Sequence, residues 1–216
     1  GKARIYRYGI NPLVNVSEPN MSDWEQSVKR AFDILFSFIA LLLLSPLMLY
    51  LIIQIKRDSK GPVIYRQERI GKHGKAFNIY KFRTMYCRSE NGVPKLSSPD
   101  DDRITQMGRI MRKYRIDEIP QFWNILKGDM SIVGPRPERK FFIDQIIREA
   151  PYYCLLYKIR PGLTSWGPIK IGYSDTIDKM IERLNFDLVY MENMSIVNDL
   201  KILISTFEII FKGKGM

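Results

Sequence analysis

Asp117 and Glu118 are adjacent carboxylates closely preceded by Arg103, Arg109, Arg112, Lys113 and Arg115. Guanidinium forks together with backbone N–H groups at a helix start hold phosphate oxygens, so this is where anion chemistry fits the residue types. The same residues also have a purely structural use. Asp is a favoured helix cap and Glu suits a first helical turn, so the local sequence leaves both a capping pair and a reactive pair open.

Further cations stand in stiff settings. In SIVGPRPE (131 to 138) Arg136 lies between Pro135 and Pro137, which restrict the backbone on both sides. Arg160-Pro161-Gly162 repeats the theme more weakly, and Lys81-Phe82-Arg83 alternates two cations onto one strand face. The only histidine, His73, sits in the turn-like run Gly71-Lys72-His73-Gly74-Lys75, which excludes histidine-rich metal sites and a triad built on a buried imidazole. Chemistry therefore falls to carboxylates. Cys87 and Cys154 are far apart and read as two reduced, packed cysteines rather than a disulfide or zinc framework. No phosphate-loop or dinucleotide glycine pattern is present.

The elements that must position these groups are legible from periodicity. Residues 63 to 65 and 76 to 82, rich in β-branched and aromatic side chains, flank the Gly71 turn and predict a β-hairpin. Residues 88 to 102 read as an exposed loop, and residues 104 to 114 as a short amphipathic helix. A helix capped by Asp117 is expected to run through Pro120 and stop at Gly128. Further helices are expected over residues 141 to 150, 177 to 191 and 197 to 211, the last an amphipathic helix that packs on the domain or lies on the bilayer, with core packing the favoured of the two.

Residues 34 to 53 read ILFSFIALLLLSPLMLYLII, an uncharged run of the length a bilayer helix needs. Pro46 cannot donate to the Leu42 carbonyl and predicts a sharp kink at Ser45 and Pro46, where the Ser45 hydroxyl can satisfy a freed group. Lys29 and Arg30 precede the run and Lys56, Arg57 and Lys60 follow it, so the positive-inside rule holds both ends on the cytoplasmic side. A helix that enters, bends and returns fits both features. A kinked ordinary span is the alternative.

With 34 Lys and Arg against 23 Asp and Glu, the formal charge is +11, and anionic partners are expected: phosphorylated substrates, acidic headgroups or nucleic acid. The expected architecture is α+β: residues 1 to 26 a leader or the remnant of an upstream region, 27 to 57 a re-entrant membrane helix, and 58 to 216 a helix-rich catalytic domain with a small hairpin and amphipathic surface helices. The competing class is a basic peripheral-membrane or nucleic-acid-binding module without catalysis. No nucleic-acid motif supports it.

Three segments narrow the choice. GPVIYRQERIGKHGKAFNIYKFRTM (61 to 85), RITQMGRIMRKYRIDEIPQFWNILKGDMSIVGPRP (103 to 137) and RPGLTSW (160 to 166) resemble the bacterial sugar transferase family, the monotopic phosphoglycosyl transferases. The resemblance implies transfer of a sugar 1-phosphate from a UDP-sugar to undecaprenyl phosphate, with release of UMP, at the cytoplasmic face of the bacterial inner membrane. The product would initiate a capsule, exopolysaccharide, O-antigen or glycoprotein glycan. It implies Asp117 as a nucleophile carrying a covalent phosphosugar, and Mg²⁺ held by Asp117 and Glu118, with Glu118 as ligand or base. It implies Lys81, Arg83, Arg112, Arg136 and Arg160 as phosphate-binding cations, inner-membrane lipids as surroundings and no nucleic-acid partner, and it leaves homo-oligomerisation open. The break at Ser45 and Pro46 matches the family's re-entrant helix. Two departures stand out: Ser165-Trp166-Gly167-Pro168 replaces the common Gly-Trp-Ala-Gln, and Arg115-Ile116 replaces Ser-Leu.

Overall fold

A single helix, α1 (Asp23–Asp58), dominates the N-terminal part of the chain. The structure, a computed structural model, describes residues 5–8, 11–14, 21–87, 101–172 and 174–212. Most of the loop expected over residues 88 to 102 therefore lies outside the described residues. Ser22 starts α1 with a reciprocal cap: its hydroxyl accepts the Glu25 N–H at 3.3 Å, and the Glu25 carboxylate accepts the Ser22 N–H at 2.9 Å.

The break expected at Ser45 and Pro46 does not interrupt the helix. Pro46 deprives the Leu42 carbonyl of its helical donor, and the Ser45 hydroxyl donates to that carbonyl at 2.8 Å instead. The apolar run stays outside the core: only 11% of its most apolar eighteen-residue stretch is buried, with Leu35, Phe38, Leu42, Leu43 and Leu49 facing outward. A soluble core helix would bury such a face, so this one needs apolar surroundings. At its far end Leu51 and Ile55 turn inward onto Phe82, Met111 and Ile119.

The remainder is helix-rich with small two-stranded sheets. Strands β1 (Ile5–Tyr8) and β2 (Asn11–Val14) form an antiparallel hairpin before α1. Strands β3 (Ile64–Ile70) and β4 (Ala76–Phe82) form the predicted hairpin, with Tyr65 opposite Lys81. Helix α2 (Gln106–Lys113) follows, capped by Thr105, and then a single 3-10 turn, Ile116–Glu118.

Asp117 is not a helix cap. Its turn closes through Glu118 N–H to Arg115 C=O and Ile119 N–H to Ile116 C=O, and Pro120 has no N–H to carry the bonding further. Helix α3 (Gln121–Lys127) starts afresh after it and ends at Gly128, whose φ of 95° favours glycine.

Next come β5 (Ser131–Val133), α4 (Lys140–Glu149), a long 3-10 segment (Pro151–Lys158), β6 (Gly162–Thr164), α5 (Trp166–Ile171), α6 (Ile177–Glu192) and α7 (Ile196–Phe211). The two short strands β5 and β6 pair in parallel, Ser131 opposite Gly162 and Val133 opposite Thr164. One core gathers Ile125, Met130, Ile132, Tyr190 and Ile202, and a second gathers Phe142, Ile143, Ile146 and Leu184.

Two sequence expectations are revised by burial. Helix α7 gives Ile202 and part of Leu203 to the core, but Val197, Leu200, Ile204, Phe207 and Phe211 face outward, since Asp199 and Thr206 share its packed side. Cys87 and Cys154 are unpaired, as expected, yet exposed rather than packed.

Candidate active site

The turn carrying Asp117 and Glu118 is set by the residues around it. Arg115 adopts a left-handed backbone, φ 54° and ψ 21°, which reverses the chain between α2 and the turn. Ile116 and Ile119 then pack against the group holding Leu51 and Ile55, so the pair sits beside the inner end of α1. Both carboxylates are buried.

Asn124 aligns strand β4 with this turn. Fully buried, it accepts the Tyr80 N–H at 3.1 Å and donates to the Asn78 carbonyl at 2.7 Å. The next residue on β4, Lys81, reaches Glu118 Oε1 at 2.6 Å. Arg136 reaches the same oxygen at 3.0 Å. Its loop is fixed by the close approach of two glycines: a Cβ on Gly162 would meet the Gly134 nitrogen at 2.1 Å, so neither strand end tolerates a side chain there. Gly134 N–H donates to Thr164 C=O and Gly162 N–H to Pro135 C=O, at 3.0 and 2.8 Å.

Arg112 lies on the third side, its Nε donating to the Thr84 hydroxyl at 2.9 Å. Gly108 allows this approach, because a Cβ there would meet the Thr84 carbonyl at 2.2 Å.

The surroundings shift the two carboxyls in opposite directions. Burial pushes the Asp117 carboxyl above its ordinary range, Lys81 acts against that push, and the Glu118 charge reinforces it. Glu118 is subject to the same burial, but Lys81, Arg136 and Arg115 together outweigh it and hold the carboxyl well below its ordinary range. Burial also lowers the Lys81 ammonium, against the pull of Glu118. Glu118 is thus a fixed, paired anion. Among the described residues Asp117 makes no hydrogen bond or salt bridge, which leaves its oxygens available to an incoming group.

The remaining sequence candidates stand elsewhere. The Arg83 guanidinium is buried and donates to the carbonyls of Pro62 at 2.7 Å, Ser59 at 2.6 Å and Ile55 at 3.3 Å, and to the Ser59 hydroxyl at 2.9 Å. It closes the C-terminal end of α1. Arg160 donates to the Gly128 carbonyl at 3.1 Å and lines a separate cleft with Lys29, Arg30, Asp33 and Lys72. Lys81, Arg112 and Arg136 therefore gather around the acidic pair, while Arg83 and Arg160 do not. Sequence reasoning left out Arg115 as a site residue, and also Arg183 and Asp187 behind Arg136. Their signal was present: both recur at helical spacing on the apolar face of α6.

Asp117 and Glu118 fit a small hard cation that keeps several waters and takes further oxygens from substrate phosphates. A dedicated protein cage is not formed, since no group of three or more His, Cys, Asp or Glu gathers among the described residues.

Residues 24–213 match the family model described as bacterial sugar transferase. The chain is 43% identical over 188 residues to the UDP-N-acetylgalactosamine-undecaprenyl-phosphate N-acetylgalactosaminephosphotransferase of Aeromonas hydrophila, covering 87% of this chain and 44% of that protein. It is 38% identical over 204 residues to the UDP-glucose:undecaprenyl-phosphate glucose-1-phosphate transferase of Escherichia coli K12, covering 94% and 43%. It is also 38% identical to the exopolysaccharide production protein PSS of Rhizobium leguminosarum bv. phaseoli, covering 87% of this chain and 98% of that protein. The chain spans less than half the length of the first two relatives and nearly all of the third. It belongs to the bacterial sugar transferase family.

Proposed function

We propose that the chain transfers a sugar 1-phosphate from a UDP-sugar to undecaprenyl phosphate, in two displacements through Asp117. The observation that carries this reading is the asymmetry of the acidic pair. One carboxylate is immobilised by Lys81 and Arg136, and its neighbour is buried beside the same cations with its oxygens unengaged.

In the first displacement an Asp117 oxygen attacks the sugar-bearing phosphorus and the bond from that phosphorus to the bridging oxygen breaks. UMP leaves with the electron pair, and a phosphosugar remains on the carboxylate. In the second, an oxygen of the polyprenyl phosphate attacks the same phosphorus and frees Asp117. Lys81, Arg112 and Arg136 lie where charge builds on the phosphoryl oxygens, and such preorganised cations lower the barrier without rearranging. Glu118 holds Lys81 and Arg136 in place. A Mg²⁺ held by Asp117 and Glu118 would neutralise part of the phosphate charge.

A lipid acceptor explains the placement of the site beside α1. Both ends of that helix are fastened to the same domain: Lys29 and Arg30 to the carbonyls of Val133, Ile125 and Leu126, and Ile55 and Ser59 to Arg83. A straight helix would separate Arg30 from Ile55 by about 38 Å. Shared attachment and cationic flanks at both ends support a re-entrant course in the inner membrane, with the domain on the cytoplasmic face.

The test is UMP release across a panel of UDP-sugars, with undecaprenyl phosphate and Mg²⁺ present or withheld. The expected result is release from one or a few donors, dependent on the metal, and a peptide containing Asp117 heavier by one sugar phosphate when the acceptor is omitted. Salt-sensitive binding of donor or lipid without any UMP release would overturn the enzymatic reading in favour of a binding module.

A further inference from the structure

Helix α6 buries two opposite charges on its apolar face, Arg183 and Asp187, beside Met180 and Leu184. Charges in such a place are costly unless engaged, so what they engage is informative. Arg183 bonds one oxygen of the buried Glu138 carboxylate, and Arg69 reaches the other at 3.4 Å. Asp187, one turn further along, is raised to about 6 by burial against the pull of Arg183, and among the described residues neither its Oδ1 nor the Ser165 Oγ has a hydrogen bond.

Arg136 and Glu138 flank Pro137, and the Arg136 side chain is the one that reaches Glu118. Prolines at 135 and 137 stiffen this stretch, but stiffness alone does not fix where it sits. Helix α6 supplies an anchor next to Pro137, through the bond of Arg183 to Glu138.

Room for that anchor depends on one residue. A Cβ on Gly167 would lie 2.2 Å from Arg183 Cγ and 3.0 Å from Cδ, so Arg183 passes only because position 167 has no side chain. Gly167 is one of the positions at which this chain departs from the common Gly-Trp-Ala-Gln pattern, and it is the one that meets Arg183.

We propose that Arg183 is a positioning residue that holds Glu138, and with it the stretch from Arg136 to Glu138, so that the Arg136 guanidinium stays on Glu118, with Gly167 as the necessary complement of Arg183. The catalytic side of this inference rests on the function proposed above, whereas the brace itself can be measured without turnover. The experiment compares the full-length wild type with Arg183→Ala, Arg183→Lys, Gly167→Ala and Gly167→Ala/Arg183→Ala, by amide hydrogen exchange, thermal unfolding and UMP release.

Losing the Arg183 bond to Glu138 should speed exchange in the peptide covering residues 134 to 138 by about tenfold in Arg183→Ala, while α3 is unchanged. The kcat should fall by roughly tenfold with donor KM altered by less than about threefold, because the defect is in alignment rather than binding. Arg183→Lys keeps a cation for Glu138 and should recover part of both losses. Gly167→Ala should lower the unfolding temperature, and adding Arg183→Ala should recover part of that loss by removing the clash. Unchanged exchange over 134 to 138 in Arg183→Ala would overturn the brace, and altered exchange with unchanged kcat would overturn its catalytic meaning. A further drop in unfolding temperature in the double variant would remove Gly167 from the argument. A wild type that releases no UMP would defeat the proposed function, and the exchange result would still decide the brace.

Discussion

Two regions of the molecule use the same cationic side chains for different ends. Around Asp117 and Glu118, Lys81 and Arg136 converge on a carboxylate. At the ends of α1 and α3, Arg83, Arg30 and Arg160 converge on backbone carbonyls instead. In the first region the cations hold an anion and leave a second one open beside it. In the second they close helix C-termini, where unpaired carbonyls and the helix dipole attract positive charge. The difference teaches that arginines of one set of family motifs meet different partners in the fold, a carboxylate in one region and backbone carbonyls in the other.

The largest effect that can separate the regions is at Asp117. Asp117→Asn should reduce UMP release by about 10⁴-fold or more, since loss of the nucleophile removes the covalent route. The same variant should unfold at a higher temperature than wild type, because a buried, unpaired carboxylate is replaced by a neutral amide of similar shape. Full turnover in Asp117→Asn would remove the nucleophile assignment. A lowered unfolding temperature would contradict the view of Asp117 as strained by burial.

Next in size are Glu118 and Arg83, matched losses with opposite signatures. Glu118→Ala leaves Lys81 and Arg136 facing each other without their anion and should cost about 3 kcal/mol of stability along with turnover. Arg83→Ala removes the donor that serves Ile55, Ser59 and Pro62 and should cost about 2 kcal/mol, while kcat of the folded protein stays within about threefold. Equilibrium unfolding paired with active-site titration distinguishes the two. A selective loss of kcat in a stable Arg83→Ala protein would move Arg83 into the site. Arg160→Ala is the smallest of the set, about 1 kcal/mol, because its bond to Gly128 is exposed.

Much of this fold was legible in the sequence because its cues are local. Alternating β-branched and aromatic residues around the Gly71 turn specify the β3–β4 hairpin, and Gly128 stops α3 where a left-handed residue is needed. The apolar run of α1 announces itself by length alone. What the sequence could not supply were choices made by tertiary partners. Asp117 has the composition of a helix cap, yet the left-handed Arg115 and the missing N–H of Pro120 confine it to a separate turn. Outward-facing Phe207 and Phe211 on α7 share the periodicity of core residues, and only packing tells the faces apart. Arg183 was visible as a charge on an apolar face, but its meaning required seeing Glu138 and Gly167 against it.

Within the acidic pair the comparison sharpens to a pH order. The Asp117 carboxyl titrates above its unfolded value, so its ionised form opposes folding, and stability from this group increases as pH falls through the folded value. Glu118 has the opposite sign: its folded pKa is depressed, so it contributes stability above the unfolded value and loses it as pH falls through the folded one. On acidification Asp117 should therefore protonate first. Turnover should disappear while the fold persists, and unfolding should follow only when Glu118 releases Lys81 and Arg136. The measurement is a kcat/KM profile set beside tryptophan fluorescence over the same pH series. Separate transitions, with activity lost at the higher pH, are expected. Coincident transitions would mean that both carboxylates are held alike, and the asymmetry on which the proposed chemistry depends would fall with them.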